Sequence, residues 1–341
     1  MRYPLEPDLE SFLRALPKTE THLHLEGAVP LSVYRERLPE LAPGPAPYEC
    51  GDFRYASFDQ FNASLLECAM PFFNSVERYA EGARAVFEEC RQQGVRYLEI
   101  SFHLGLVLGL PGVHPTEVID AIRKEAPESM EVRVFAGLLH CDYSGPLVPW
   151  INEAPTWEHL EGFDLHGPED LPFEDWTARV WEVMREAGKR NRAHAGEFRG
   201  ADFVAQVVRD LKVKRVAHGV RAIEDPATVE LLVREEVTLD VCPISNLKLQ
   251  VNGVPSLAEH PIRRLFDAGV RVTVSSDDPT FFGNRLIDDY AALYFDCGFS
   301  LADIAQVARF GFEAANIEDG LRAALIHELE ERVKEFSQLC T

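Results

Sequence analysis

The sequence predicts an α/β protein, a (β/α)8 TIM barrel with a helical insertion after its first strand. Three observations carry that expectation. Short apolar or alternating runs recur along the chain, amphipathic helical stretches separate them, and the runs number eight, the count that a closed parallel barrel needs. A length of 341 residues would otherwise suggest two domains, but barrels of this class reach that length as one unit with insertions. The expected organisation is therefore a single domain over residues 1–341.

The eight runs lie at 19–25, 95–103, 131–140, 161–166, 191–195, 214–218, 237–242 and 270–276. They are apolar or alternate with period two, as strands covered by helices do. Between them, Val76, Tyr79, Ala83, Val86 and Cys90 step by threes and fours before Gly94, which gives a sheet-covering helix. Asp225 followed by Pro226 reads as an N-cap with proline at the first helical position, and Val229, Leu232 and Val233 then share one face. Pro261 opens another helix, with Ile262, Leu265 and Phe266 facing inward and Gly269 at its end.

One interval breaks the rhythm. Roughly seventy residues separate the first two runs, including a Pro-rich piece at 41–47 and the aromatics Phe53, Tyr55, Phe58 and Phe61. A crossover needs far fewer, so residues of about 30–90 are expected to form a helical insertion packed over the C-terminal mouth as a lid. The alternative is a plain helical elaboration that makes no functional contact.

Composition narrows the function. Apolar residues make up 46% and charged residues 26% of the chain, ordinary values for a globular protein. A formal net charge of -22, with no useful Lys/Arg run, argues against nucleic acid and anionic membranes as partners. No apolar stretch approaches a membrane span, and Met1 to Glu10 lacks the apolar core of a secretion signal, so the expected location is cytoplasmic. Seven scattered cysteines without a C-x-x-C pair indicate neither a disulfide framework nor a thiolate zinc site.

The chemistry-bearing residues sit at the ends of these runs. His22 and His24 are two apart on one strand, so both rings point to the same face and can reach one ion. Alone, an H-x-H pair is weak evidence. His194 closes the fifth run, His218 the sixth, and Asp277 with Asp278 the eighth, on the side where barrels build their sites. Three neutral imidazoles and one carboxylate satisfy a divalent ion and leave a water position open. The bland reading of Asp277 and Asp278 is an Asp-Pro turn with Pro279. Adjacent acids point in different directions, so the two are expected to differ in role. Glu197, three residues past His194, is placed to act as a general acid or base, against the bland reading of a glutamate complementing a helix dipole. His218 would orient or deprotonate a water, unless it is simply a hydrogen-bonded core histidine. No G-x-S-x-G elbow, no G-x-x-x-x-G-K-[ST] loop and no H-x-E with P-C-x-x-C pair is present, since Cys242-Pro243 lacks the second cysteine.

Together the segments L-P-K-T-E-T-H-L-H-L-E-G (16–27), G-F-D-L-H-G-P-E (162–169), H-A-G-E (194–197), A-H-G-V (217–220), C-P-I-S-N (242–246) and S-D-D-P (276–279) resemble the adenosine deaminase family of metal-dependent barrel hydrolases, with which adenine deaminases are grouped. They occur in the family's order and span the barrel from first strand to last. The resemblance implies one Zn2+ per chain held by His22, His24, His194 and Asp277, with an activated water completing the site. It implies that Glu197 protonates purine N1 as C6 is attacked, that His218 positions the water, that Asp278 shares a hydrogen at N7, and that the Gly167 N–H meets N3. The substrate-binding set it implies is Glu26, Gly167, His24 and Asp278, acting on a small purine and releasing the 6-oxo purine and ammonia.

Departures from the family pattern bear on substrate. Adenosine deaminases commonly have Asp where this chain has Glu26, at the ribose end, whereas adenine-using relatives often carry Glu. The segment H-G-P-E replaces the usual A-G-D-E and places His166 and Pro168 beside the N3 contact. C-P-I-S-N-L-K-L and S-D-D-P-T-F-F-G look closer to adenine deaminases, while Gly167 looks closer to nucleoside deaminases. The reading taken from Gly167 and the intact metal set is deamination of a 6-aminopurine nucleoside, adenosine or a 5′-modified relative such as 6-aminodeoxyfutalosine. The alternative within the class is adenine as the free base. More distant are another amidohydrolase reaction on the same barrel and a catalytically silent binding protein.

Overall fold

A computed structural model describes residues 3, 6–40, 45–171 and 173–339. Eight strands lie in one sheet in chain order: β1 (Lys18–His24), β2 (Val95–His103), β3 (Glu131–Leu139), β4 (Leu160–His166), β5 (Arg192–Ala195), β6 (Arg215–His218), β7 (Thr238–Val241) and β8 (Arg271–Val274). Each pairs in parallel with the next, and helices fill the crossovers. The expected barrel is therefore present, and each expected run matches its strand to within two residues at either end.

The ring closes differently from its other joints. Among the described residues β8 and β1 meet through one isolated bridge, Leu23 with Asp277. The Asp277 N–H donates to the His22 carbonyl at 3.2 Å, and the His24 N–H donates to the Asp277 carbonyl at 3.2 Å. Side chains reinforce this seam: the Thr21 N–H donates to Ser275 Oγ at 3.1 Å, and the Ser276 N–H to Glu20 Oε1 at 3.1 Å. All seven residues of β1 are buried, because one face lines the barrel interior and the other lies under helix Leu301–Ala314.

The interior is not wholly apolar. Leu98, Ile100, Val134, Phe163, Leu165, Val216, Leu239 and Val272 belong to the buried apolar cluster, yet an ion network is buried with them. Arg192 bonds Asp164 Oδ2 at 2.9 Å and approaches Glu99 Oε2 at 3.4 Å. Arg215 reaches Glu99 Oε1 at 3.3 Å and pairs with Asp240, which also accepts from Thr21 Oγ1 at 2.9 Å. Two guanidiniums and three carboxylates thus link β1, β2, β4, β5, β6 and β7 across the barrel. Removing one member of such a buried pair costs on the order of 3–5 kcal/mol, because its partner is left as an uncompensated charge.

Helix Val76–Gln92 packs on β2 and against helix Pro115–Lys124, burying Tyr79, Ala83, Val86 and Cys90 as the periodicity predicts. Upstream of it lie helices Leu31–Arg37 and Phe58–Phe72 and a short turn Pro47–Glu49. Residues 41–44 of the Pro-rich piece fall outside the described residues. The aromatic piece lies against the loops that follow β5, β7 and β8. Phe61 stacks on Phe282 with centroids 4.9 Å apart, Phe58 meets Phe198 edge-on at 5.6 Å, and the Tyr55 hydroxyl donates to the Phe281 carbonyl at 2.8 Å. The Tyr55 N–H donates to the Lys248 carbonyl at 2.9 Å.

One helix face differs from expectation. In helix Pro226–Arg234 the Asp225 carboxylate caps the Ala227 and Thr228 N–H groups as predicted. The buried face, however, is Thr228, Leu231 and Leu232, with Val229 half-buried and Val233 exposed. The Thr228 hydroxyl bonds the Asp225 carboxylate at 2.8 Å and the Ala201 carbonyl at 3.3 Å on the buried side of the helix. Helix Ile262–Asp267 buries Ile262 and Leu265 as expected, with Phe266 half-buried against the core and Gly269 ending it in the left-handed region at φ 87°.

Candidate active site

The C-terminal strand ends converge on one cluster. His22 and His24 come from β1, His194 from β5, and Asp277 from the loop just past β8, and one ligand atom from each lies within 4.8 Å of every other. His22 Nε2 and His194 Nε2 are 3.0 Å apart, and His24 Nε2 is 3.3 Å from His194 Nε2. Asp277 Oδ1 lies 3.2 Å from His22 Nε2 and 3.4 Å from His24 Nε2.

The hydrogen bonds behind these rings determine what the cluster fits. His22 Nδ1 faces the Asp240 carbonyl at 3.1 Å, and His194 Nδ1 faces the Leu165 carbonyl at 3.0 Å. A carbonyl only accepts, so in the neutral rings each Nδ1 carries the hydrogen and each Nε2 turns a bare lone pair toward the other. Asp277 adds an acceptor oxygen to the same point. Lone pairs that close repel unless a cation lies among them, and three imidazoles with one carboxylate form the donor set of a divalent transition-metal site. The carbonyl behind each ring supplies the outer contact that fixes tautomer and direction. His24 Nδ1 is held by Ser101 Oγ at 3.0 Å, and Asp164 Oδ1 lies 3.2 Å from His194 Nδ1, tying the cluster to the ion network.

Backbone conformation aims two of these residues. His218 and Asp277 are non-glycine residues at φ 63° and 65°. Such conformations cost on the order of 1–3 kcal/mol and persist only where the surroundings enforce them. Asp277 is held by its two bonds to β1, and Ser245 Oγ donates to its Oδ2 at 2.6 Å. Its neighbour Asp278 points elsewhere, as two adjacent acids were expected to do. Asp278 lies over Gly27, where a Cβ would sit 1.7 Å from its Oδ1, so the close approach of the turn after β1 to this loop requires glycine.

Charges are partitioned across the cluster. Burial raises the carboxyl of Glu197 well above the ordinary range, reinforced by the nearby charges of Asp277, Glu169 and Asp278. Burial raises Asp278 as well, opposed by His24 and reinforced by Asp277 and Glu26. For Asp277 burial also acts upward, but the adjoining His22 and His24 imidazoles outweigh it and hold the group well below the usual carboxylate range. Burial and the neighbouring His22 push His218 well down, so its ring is neutral. Glu197 Oε1 and Asp278 Oδ1 are buried and have no hydrogen-bond partner, while Glu197 Oε2 lies 3.4 Å from His218 Nε2.

Of the predicted substrate-facing residues, Glu26, His24 and Gly167 lie on the β1–β4 side, and Asp278 follows β8. Glu26 is buried and accepts from the His103 N–H at 2.9 Å; His103 Nδ1 lies 3.1 Å from His166 Nε2, and the His166 ring stacks on His24 with centroids 5.4 Å apart. Gly167 follows β4 at φ 88°.

Sequence reasoning passed over several contributors. Glu169 is buried, and its carboxylate accepts from the Glu197, Phe198 and Arg199 N–H groups at 3.0, 2.9 and 2.6 Å. It thus clamps the loop that carries Glu197. The quoted H-G-P-E segment contained it, but nothing local marks its partners, which lie 28 to 30 residues away. His103, Asn246 and His260 escaped notice for the same reason.

Comparison with known proteins identifies the family. The adenosine deaminase family matches residues 17–332. An adenine deaminase of Hahella chejuensis is 31% identical over 351 residues, covering 95% of this chain and 98% of that protein. An adenine deaminase of Sinorhizobium medicae is 34% identical over 325 residues, covering 92% and 98%. Among solved structures, an adenine deaminase from Arthrobacter aurescens superposes with a TM-score of 0.82 at 27% identity, covering 94% of this chain and 100% of that one. The chain belongs to the adenosine deaminase family and is a barrel hydrolase acting on C–N bonds.

Proposed function

We propose that this enzyme hydrolytically deaminates adenine, the free base, to the 6-oxo purine and ammonia, with zinc at the His22, His24, His194 and Asp277 cluster. The observation that carries the reading is the pair of buried carboxyls, Glu197 and Asp278, each raised in pKa and each with an unpartnered oxygen beside a four-acceptor cluster. A purine ring presents lone pairs at its nitrogens, and neutral carboxyl groups are what such lone pairs require as donors. The curated relatives named above are adenine deaminases, which favours the base over the nucleoside.

The ion, when bound, supplies the Lewis acidity that lets water deprotonate near neutral pH. Glu197 delivers a proton to N1, which lowers the cost of breaking ring aromaticity as water adds at C6. His218 orients that water, Asp278 holds N7, and the Gly167 N–H meets N3. Glu26 and His24 complete the contacts to the ring. The C6–N bond then breaks: one hydrogen of the water leaves with ammonia, the other returns to Glu197, and the proton that Glu197 gave stays on N1 of the 6-oxo ring. Within the insertion expected over about 30–90, the contacts of Tyr55, Phe58 and Phe61 to the loops after β5, β7 and β8 support a lid over the mouth. The described cysteines Cys50, Cys68, Cys90, Cys141, Cys242 and Cys297 are free thiols, which supports a reducing, cytoplasmic setting.

The test is a substrate panel on the zinc-loaded enzyme, comparing adenine, adenosine and 5′-extended adenosines by ultraviolet absorbance. Adenine should show the highest kcat/KM. Faster turnover of any nucleoside would overturn the choice of substrate, and an inert panel would overturn the reaction.

A further inference from the structure

A hydrogen-bond chain reaches the back of His218 from outside the site, and one backbone group fixes its direction. The Ile262 N–H donates to His260 Nδ1 at 3.1 Å. That nitrogen is therefore an acceptor, and a neutral His260 carries its hydrogen on Nε2. His260 Nε2 lies 3.2 Å from Asn246 Oδ1, which orients the amide with its oxygen toward His260 and its nitrogen toward the barrel. Asn246 Nδ2 in turn lies 3.2 Å from His218 Nδ1 and donates to it. A neutral His218 must then hold its own hydrogen on Nε2, the nitrogen that faces Glu197 Oε2 at 3.4 Å and Asp277 Oδ2 at 4.0 Å.

Two further observations give the chain its purpose. His260, Asn246 and His218 are 3%, 0% and 1% exposed, so water does not enter to exchange donors for acceptors. His218 also sits at φ 63°, off the regular strand conformation, and β6 alone does not set the direction of its ring. A free imidazole divides between two tautomers; this one is offered a single choice.

We infer that His260 and Asn246 are positioning residues that hold His218 as the Nε2–H tautomer, so that the ring presents a hydrogen-bond donor, and not a vacant base, to the substrate cavity. The role of that donor rests on the deaminase reading above; the tautomer itself does not. On that reading His218 orients the attacking water and does not deprotonate it.

The experiment is long-range 1H–15N correlation on the zinc-loaded full chain with 15N-labelled histidine, with the His218 signals assigned by their loss in His218→Gln. In the unmodified enzyme His218 should show a pyridine-like Nδ1 and a pyrrole-like Nε2. The isosteric Asn246→Asp substitution turns the donor into an acceptor, and should move the His218 hydrogen to Nδ1. It should also lower kcat about 10²-fold while KM and zinc content stay near their starting values, and because Asn246 also bonds Glu197 the nitrogen shifts are the readout specific to the relay. His260→Leu should mix the tautomers, and His260→Gln, which still donates to Asn246, should recover most of the loss. If His260→Leu does not fold, Asn246→Asp decides alone. A pyrrole-like Nδ1 in the unmodified enzyme, or an Asn246→Asp variant with unchanged nitrogen shifts or unchanged kcat, overturns the inference. If no 6-aminopurine is turned over at all, the functional reading falls, yet the nitrogen spectrum still decides the relay.

Discussion

Replacing Glu197 by Gln isolates one proton. The side chain keeps its length, and its oxygen remains available to His218 Nε2, now 3.4 Å from Oε2. The loop is held through backbone N–H groups by Glu169, so its path does not depend on the Glu197 side chain. Metal content and melting temperature should therefore hardly change. What disappears is the only proton the group could give to a substrate, from a carboxyl whose Oε1 is buried without a partner. General-acid contributions run to about 10²–10⁴ in rate, which at about 1.4 kcal/mol per tenfold corresponds to about 3–5 kcal/mol of barrier. The sign with pH follows from burial, which raises this pKa. The protonated form is the working form, so its contribution is complete at low pH and is lost as pH rises through the raised value. In the Gln variant that alkaline fall should vanish along with most of kcat. The assay is the loss of adenine absorbance across pH, alongside elemental analysis for zinc. A Gln variant that retains its metal and stays within about tenfold of the original kcat would refute the assignment.

Other perturbations follow from the same geometry. Gly27→Ala places a Cβ 1.7 Å from Asp278 Oδ1, so Asp278 must leave its position; kcat/KM should drop by at least about tenfold, an outcome read from steady-state kinetics beside a circular-dichroism melt. Glu169→Ala leaves three backbone N–H groups without their acceptor and should destabilise the protein by about 3 kcal/mol in urea unfolding, with kcat reduced further than that alone explains. Stripping the metal with a chelator should lower the melting temperature as well as abolish turnover, because an ion at 100 times its Kd stabilises the native state by about 2.7 kcal/mol. An unchanged melting curve would mean that the four acceptors do not hold an ion.

Much of this was legible in the sequence because it is local. Strand runs show a short period ended by turn residues, and His22, His24, His194, His218 and Asp277 stand at strand ends, so counting to eight was enough to bring them to one mouth. The rest depends on partners remote in sequence. Arg192 meets Glu99 and Asp164 only after the barrel is rolled, and no periodicity marks an interior arginine as paired. Glu169, Asn246 and His260 read as ordinary loop residues until the fold supplies the group each one holds. Thr228 lies on the buried face of helix Pro226–Arg234, where its hydroxyl finds the Ala201 carbonyl, a polar partner that a hydrophobic pattern does not register. Choice of substrate was least legible, since Glu26 and Gly167 pulled in opposite directions, and the relatives rather than the residues favour the base.

The seam between β8 and β1 has a consequence for motion. Seven joints of the barrel are ladders, and the eighth is a single bridge through Asp277. Native-state opening should begin at that joint, so the amides of His24 and Asp277 should exchange with solvent ahead of those of β2 and β3. An ion drawing His22, His24 and Asp277 together would act as a clasp on that joint. Activity and local rigidity would then be inherited together, and a substitution that loosens the seam at Ser275, whose hydroxyl accepts the Thr21 N–H across it, would silence the enzyme without touching any residue that meets the substrate.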